Sequence, residues 1–86
     1  TNAAFLQQTL AGMRQAILEG ATDFPELERQ AVLVLVSRGW RVDYVAVRSQ
    51  ADLVQPVNGE NNLVILAAAW LGQTRLIDNI EVCIKG

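Results

Sequence analysis

Nine acidic and seven basic residues are spread along the 86-residue chain, with one cysteine and no histidine. The missing histidine removes the commonest general base and the commonest zinc ligand together. Cys83 has no base near it in the sequence and no second cysteine, so it reads as an inert thiol rather than a nucleophile. Gly72-Gln73-Thr74 is too short for a phosphate-binding loop, and G-x-x-x-x-G-K-[ST] is absent. Glu26 and Glu28 read as acidic residues of a helix N-terminus, where negative charge is favourable. Asp43 and Asp78 are expected to pair with arginines across strands. None of these sets makes a self-sufficient active site.

The elements that position these residues are organised around Leu63 to Val82. The stretch reads as two strands joined by a tight turn at Gly72-Gln73-Thr74. Leu63 to Leu71 is apolar throughout, the pattern of a strand covered on both faces. The second arm alternates. Leu76, Ile80, Val82 and Ile84 share a row with Asp78, and Arg75, Ile77, Asn79, Glu81 and Lys85 point the other way. An unpaired buried carboxylate in that apolar row is costly, so Asp78 is expected at an edge or beside donors.

Upstream, Ala3 to Glu19 has apolar residues at helical spacing: Leu6, Leu10, Met13 and Ile17. The stripe reads as a core face; a groove for a partner is the other reading. Thr1 or Asn2 suits the start of this helix and Gly20 its stop. A second helix starts with Asp23 as cap, Pro25 in the first turn and Glu26 completing a capping box. It runs to about Ser37 or Arg38 and ends at Gly39. Leu27, Ala31, Val34 and Leu35 are expected to face the core. From Trp40 to Arg48, Trp40, Val42, Tyr44 and Ala46 alternate with Arg41, Asp43, Val45 and Val47, a first strand. Ser49 to Val54 reads as a turn or one short helical turn with Asp52 exposed, and Pro56 with Asn58 to Asn62 as a polar loop. The expected fold is α+β, two helices packed on a small three-stranded antiparallel sheet within one domain, 1–86.

An apolar fraction of 51% is enough for a packed core and leaves apolar surface that another domain would cover. The net charge of −2, with no basic stripe, argues against a nucleic-acid partner. The longest apolar run is too short to span a bilayer, and no signal-peptide pattern is present, which argues against a membrane. A single cysteine fits a reducing cytoplasm. Thr1 in place of Met leads to the expectation of a fragment or a processed product.

Three blocks carry a family resemblance. Ala68 to Asn79, AAWLGQTRLIDN, resembles the C-terminal end of pantothenate synthetases (pantoate–β-alanine ligases), where an apolar strand and glycine turn precede T/A-R-L-I-D-N. Gly39 to Arg48 is similar to that family's G-[FW]-x-x-D-Y-x-x-[IV]-R segment. Ala51-Asp52-Leu53 is similar to the A-D-[TL] that follows it, although Val54 departs from the leucine expected next. The blocks fall in order over about half the chain. The resemblance implies a C-terminal lid domain cut from a longer ATP-dependent ligase. Such enzymes condense pantoate with β-alanine through a pantoyl adenylate, releasing AMP and pyrophosphate. It also implies ATP and Mg2+ as cofactors of the full-length enzyme, with none bound by this fragment alone. A missing N-terminal nucleotide-binding domain, a full-length homodimer and a cytoplasmic location are implied too. The family's H-x-G-H and M-S-[SK]-R-N motifs are not in this sequence, so no catalytic residue carries over.

Thr74, Arg75, Asp78 and Asn79 are the distinctive polar positions of the matched block. They are candidates for lid or interdomain contacts, Arg75 and Asn79 before the others because they leave the apolar row. The alternative is that these residues only fix the hairpin. A stand-alone α+β protein-interaction module without catalysis remains the competing class, distinguished by whether an H-x-G-H motif lies upstream in the same reading frame. The chain purified alone is expected to form no pantothenate or AMP from pantoate, β-alanine and ATP; turnover surviving removal of host enzyme would contradict the lid reading.

Overall fold

Local punctuation sets the helical half of the fold. In the computed structural model, which describes residues 2–57 and 59–84, helix α1 spans Asn2–Leu18 and α2 spans Phe24–Ser37. Each ends at a glycine with positive φ, Gly20 at 109° and Gly39 at 88°. At both ends the two following amides turn back on the last carbonyls. Gly20 N–H donates to Ile17 and Ala21 N–H to Ala16; Gly39 N–H donates to Val36 and Trp40 N–H to Leu35. This is the Schellman closure, and its apolar residue at the second position, Trp40, is buried in the core. Asp23 caps α2 by accepting the Glu26 N–H at 3.2 Å. The reciprocal half of the capping box is not made: the Glu26 carboxylate turns to Arg29 and Gln30 instead.

Three antiparallel strands follow, β1 (Arg41–Ser49), β2 (Asn62–Leu71) and β3 (Thr74–Cys83), in the order β1-β2-β3. The α+β arrangement expected from the pattern is therefore the observed one. Both helices pack on the same side of the sheet. The facing row of β2, Leu63, Ile65, Ala67 and Ala69, is fully buried against Leu6, Leu10, Met13, Ile17, Ala31 and Leu35. The alternation of β3 holds: Leu76, Asp78, Ile80 and Val82 lie opposite Ala69, Ala67, Ile65 and Leu63 on the helix side.

Several expectations are corrected. β2 is not covered on both faces, because among the described residues no helix lies over Val64, Leu66, Ala68 and Trp70; flanking side chains bury Val64 and Ala68 without a second layer. Val34 does not face the core and is 45% exposed, whereas Val32 packs against it, because the buried stripe of α2 runs through Leu27, Ala31 and Leu35. The alternation of β1 breaks at a register shift between Val42 and Tyr44. Val42 faces the core, but beyond the shift Val45 and Val47 do so, and Tyr44 and Ala46 take the opposite face. Glu28 is not simply part of a helix N-terminus. Its carboxylate accepts the Val47 N–H at 2.7 Å and lies 3.6 Å from Arg48, so α2 closes part of the free edge of β1. The turn after β1 is present, with Asp52 exposed and Leu53 at a φ of 58°. Thr1 as a cap, Asn58 in the polar loop and the direction of Lys85 lie outside the described residues, as does the capping side chain of Asn2.

Gly72 opens the β2–β3 turn with a φ of 62° and has open space where a Cβ would stand. A Cβ at this position therefore meets no neighbour, and Gly72→Val is expected to destabilise the domain by about 1–3 kcal/mol through backbone strain. A lowered urea midpoint checks this, and an unchanged midpoint would show that the turn does not need glycine.

Candidate functional site

The register shift in β1 leaves Asp43 without a partner on β2 and lets its side chain reach over the open face of the sheet. Arg41, Trp70 and Arg75 form one row across that face, because Arg41 pairs with Trp70 and Trp70 pairs with Arg75. Asp43 binds this row together. Its Oδ2 accepts from Arg75 Nε at 2.9 Å and from Trp70 Nε1 at 3.2 Å, so β1 and β3 are joined across β2. The Arg41 guanidinium lies over the Trp70 ring, 5.0 Å from its centroid. The hydrogen bond from Arg75 holds the Asp43 carboxyl below its ordinary value; burial opposes it, and the weaker effects of the Trp70 bond and of the Arg75 and Arg41 charges act with it.

Toward the middle of the face the surface becomes apolar. Tyr44 and Ile77 flank the buried Ala68, and Ile77 is 65% exposed. The next row is Ala46, Leu66 and Asn79. The face thus offers two guanidiniums against one carboxylate at one end and an apolar strip with an amide beside it. It can hold an anionic or amphipathic surface and orient hydrogen bonds. Among the described residues it contains no nucleophile paired with a base.

The structure separates the four residues singled out from the sequence. Arg75 and Asn79 share the open face. Asp78 lies on the helix side opposite Ala67, half-buried, and Thr74 lies at the hairpin opposite Leu71, exposed. The expected pairing of Asp43 with an arginine is found. Asp78 instead accepts the backbone N–H of Asn79 at 2.8 Å. Arg41, Trp70, Tyr44 and Ile77 were not identified as site residues. Trp70 alone left a signal, as the one aromatic residue in a strand of aliphatic and small side chains.

Two hollows lie elsewhere. An apolar groove of about 330 Å³ runs between α1 and α2, beside Phe5, Gly12, Met13 and Val34. A more polar cleft of about 530 Å³ lies under the loop before β2, beside Phe24, Glu28, Arg48 and Glu60. Among the described residues, no three acidic or cysteine side chains cluster so that they could hold a metal ion, and no helix is long and apolar enough to cross a membrane.

Fold and surface together define a two-layer α+β unit, two helices on one side of a three-stranded antiparallel sheet. The chain belongs to the pantoate–β-alanine ligase family: the family model described as Pantoate-beta-alanine ligase matches residues 1–81. It is similar to the pantothenate synthetase of Nitrosomonas europaea, with 53% identity over 74 residues, which make up 86% of this chain and 27% of that protein. The chain thus spans about a quarter of the length of that relative.

The lowered pKa of Asp43 fixes a direction for acid unfolding. A carboxyl lowered on folding contributes stability that is present above its unfolded value, near 3.8, and lost as the pH falls through its folded value. Asp43→Asn is therefore expected to lower the urea midpoint near neutral pH and to differ less and less from the parent below about pH 4. A gap between the two that stays constant into acid would show that the charge of Asp43 is not what the row uses.

Proposed function

We propose that this chain is the C-terminal lid domain of a pantothenate synthetase. The full-length enzyme would join pantoate to β-alanine with ATP, through a pantoyl adenylate, and release AMP and pyrophosphate. The observation that carries the reading is the match to a ligase of which this chain would be about a quarter. The open sheet face supports it, since a sheet with helices on one side leaves Tyr44, Leu66, Trp70 and Ile77 for another surface to cover.

In this reading the open face closes over the nucleotide site of a preceding N-terminal domain. Ile77 and Tyr44 exclude water, and Asn79 supplies a hydrogen bond made only on closure. Arg75 is already engaged by Asp43, so its part is to hold the row rigid, while Arg41, stacked on Trp70, offers a fixed positive charge toward anionic substrate groups. Such a charge fits the phosphates of ATP and the carboxylate of pantoate. Mg2+ has no matching cluster of ligands among the described residues, and in this proposal it is held outside the domain. Thr74 and Asp78 face away from the closing surface and serve the hairpin and its edge. A cytoplasmic location and a full-length homodimer belong to the same proposal and rest on the family resemblance.

In the full-length enzyme, Ile77→Glu and Asn79→Ala are expected to lower kcat and kcat/KM together, the mark of an interaction made in the transition state. Both residues are exposed, so the urea midpoint of the isolated domain is expected to stay within about 0.5 kcal/mol of the parent's equivalent stability. Normal kinetics in both variants would remove the open face from the closing surface.

A further inference from the structure

β3 is an edge strand ten residues long, and among the described residues nothing pairs with its outer side. The ladder fixes which of its groups face out. Ile84 N–H donates to Asn61 at 2.8 Å, and the tight turn at Gly72 and Gln73 joins Leu71 to Thr74. The even-numbered residues therefore bond to β2, and the N–H and C=O groups of Arg75, Ile77, Asn79 and Glu81 point outward. A row of this kind is a template for another strand.

One of those outward donors is taken. The Asp78 carboxylate accepts the Asn79 N–H at 2.8 Å, which also explains an acid in the row of Leu76, Ile80 and Val82. The strand carries a second relevant pattern. If β3 met β3 of a second copy antiparallel, with a two-fold axis at residue 78, Arg75 would lie opposite the copy's Glu81 twice over. Leu76 would lie opposite Ile80, and Ile77 opposite Asn79. Opposite charges and apolar pairs in these positions favour strand pairing. At the axis itself, however, Asp78 would face its own copy, two carboxylates against each other with an occupied N–H beside each.

We propose that the β3 edge is a self-complementary surface for a second copy of this chain, and that Asp78 keeps it shut. The carboxylate does so in two ways, by occupying the Asn79 N–H and by placing like charges on the symmetry axis. An inward-pointing charge on an edge strand is a known means of preventing edge-to-edge pairing. Removing it opens a six-stranded sheet continuous across two copies. The inference stands independently of the lid reading, which uses the face of the sheet and not its edge.

Sedimentation equilibrium of the 86-residue chain tests this, with far-ultraviolet circular dichroism to confirm that each variant is folded. Asp78→Ala removes both the cap and the charge, and self-association at least about tenfold tighter than the parent's is expected. Asp78→Asn keeps an acceptor but removes the charge, and is expected to fall between the two; it carries the test if the alanine variant does not fold. Adding Glu81→Arg to either variant places two arginines opposite each other and is expected to return the chain to the parent's behaviour. Folded Asp78 variants that associate no more than the parent, or association that Glu81→Arg leaves unchanged, would overturn the proposal.

Discussion

The helix-facing row of β2 is the constraint on which the rest depends. Leu63, Ile65, Ala67 and Ala69 are all fully buried, and they meet residues of both helices. Alanine at two of the four positions lets the helices lie close to the strand, while the larger Leu35 and Leu10 fill the space. Once this row has chosen its side, the period of two fixes every other residue of β2 on the opposite face. Val64, Leu66, Ala68 and Trp70 are then left on a side with no helices among the described residues, and the remaining features of the structure manage that consequence.

The open face is managed by local devices rather than by a second layer. The register shift in β1 moves Asp43 out of the ladder and gives Trp70 and Arg75 a common acceptor. The result is a braced end at which Arg41 rests on an indole whose N–H is already satisfied. The two edges of the sheet are treated separately. Glu28 of α2 takes an outward amide of β1, and Asp78 takes one of β3. Two carboxylates thus perform the same office on opposite edges, one supplied by a helix and one by the strand itself. The apolar strip around Ile77 has no such cover, and this asymmetry is what directs the functional reading to the face.

The sequence carried these features unevenly. Helix ends were legible because Asp23, Gly20 and Gly39 have local physical reasons for their places, and the alternation of β3 was legible because its polar and apolar residues differ sharply. The apolar run of β2 predicts cover on both faces because such a run does not distinguish a strand between two layers from one with an open apolar face. The β1 shift left no sign, since its residues, Val42 to Tyr44, include neither glycine nor proline. With the shift unseen, Arg41, Asp43 and Trp70 had no reason to be brought together. Arg75 and Asn79 were placed on the right face by periodicity alone. The alternation alone places Asp43 within reach of an arginine and Asp78 at an edge or beside donors, and both hold: Asp43 pairs with Arg75, and Asp78 sits on the edge strand and accepts the Asn79 N–H rather than an arginine.

The central claim is that the open face, rather than the helical side, closes against the rest of a ligase. Ile77 is exposed on the one and Val34 on the other, which allows a direct comparison. In a full-length enzyme with Cys83 and other accessible cysteines replaced, Ile77→Cys and Val34→Cys can each be labelled with a thiol reagent. The measurement is the labelling rate with and without ATP and pantoate. Protection of the cysteine at position 77 by substrates, with position 34 unaffected, is the predicted result. Protection at position 34 with position 77 still open would contradict the account.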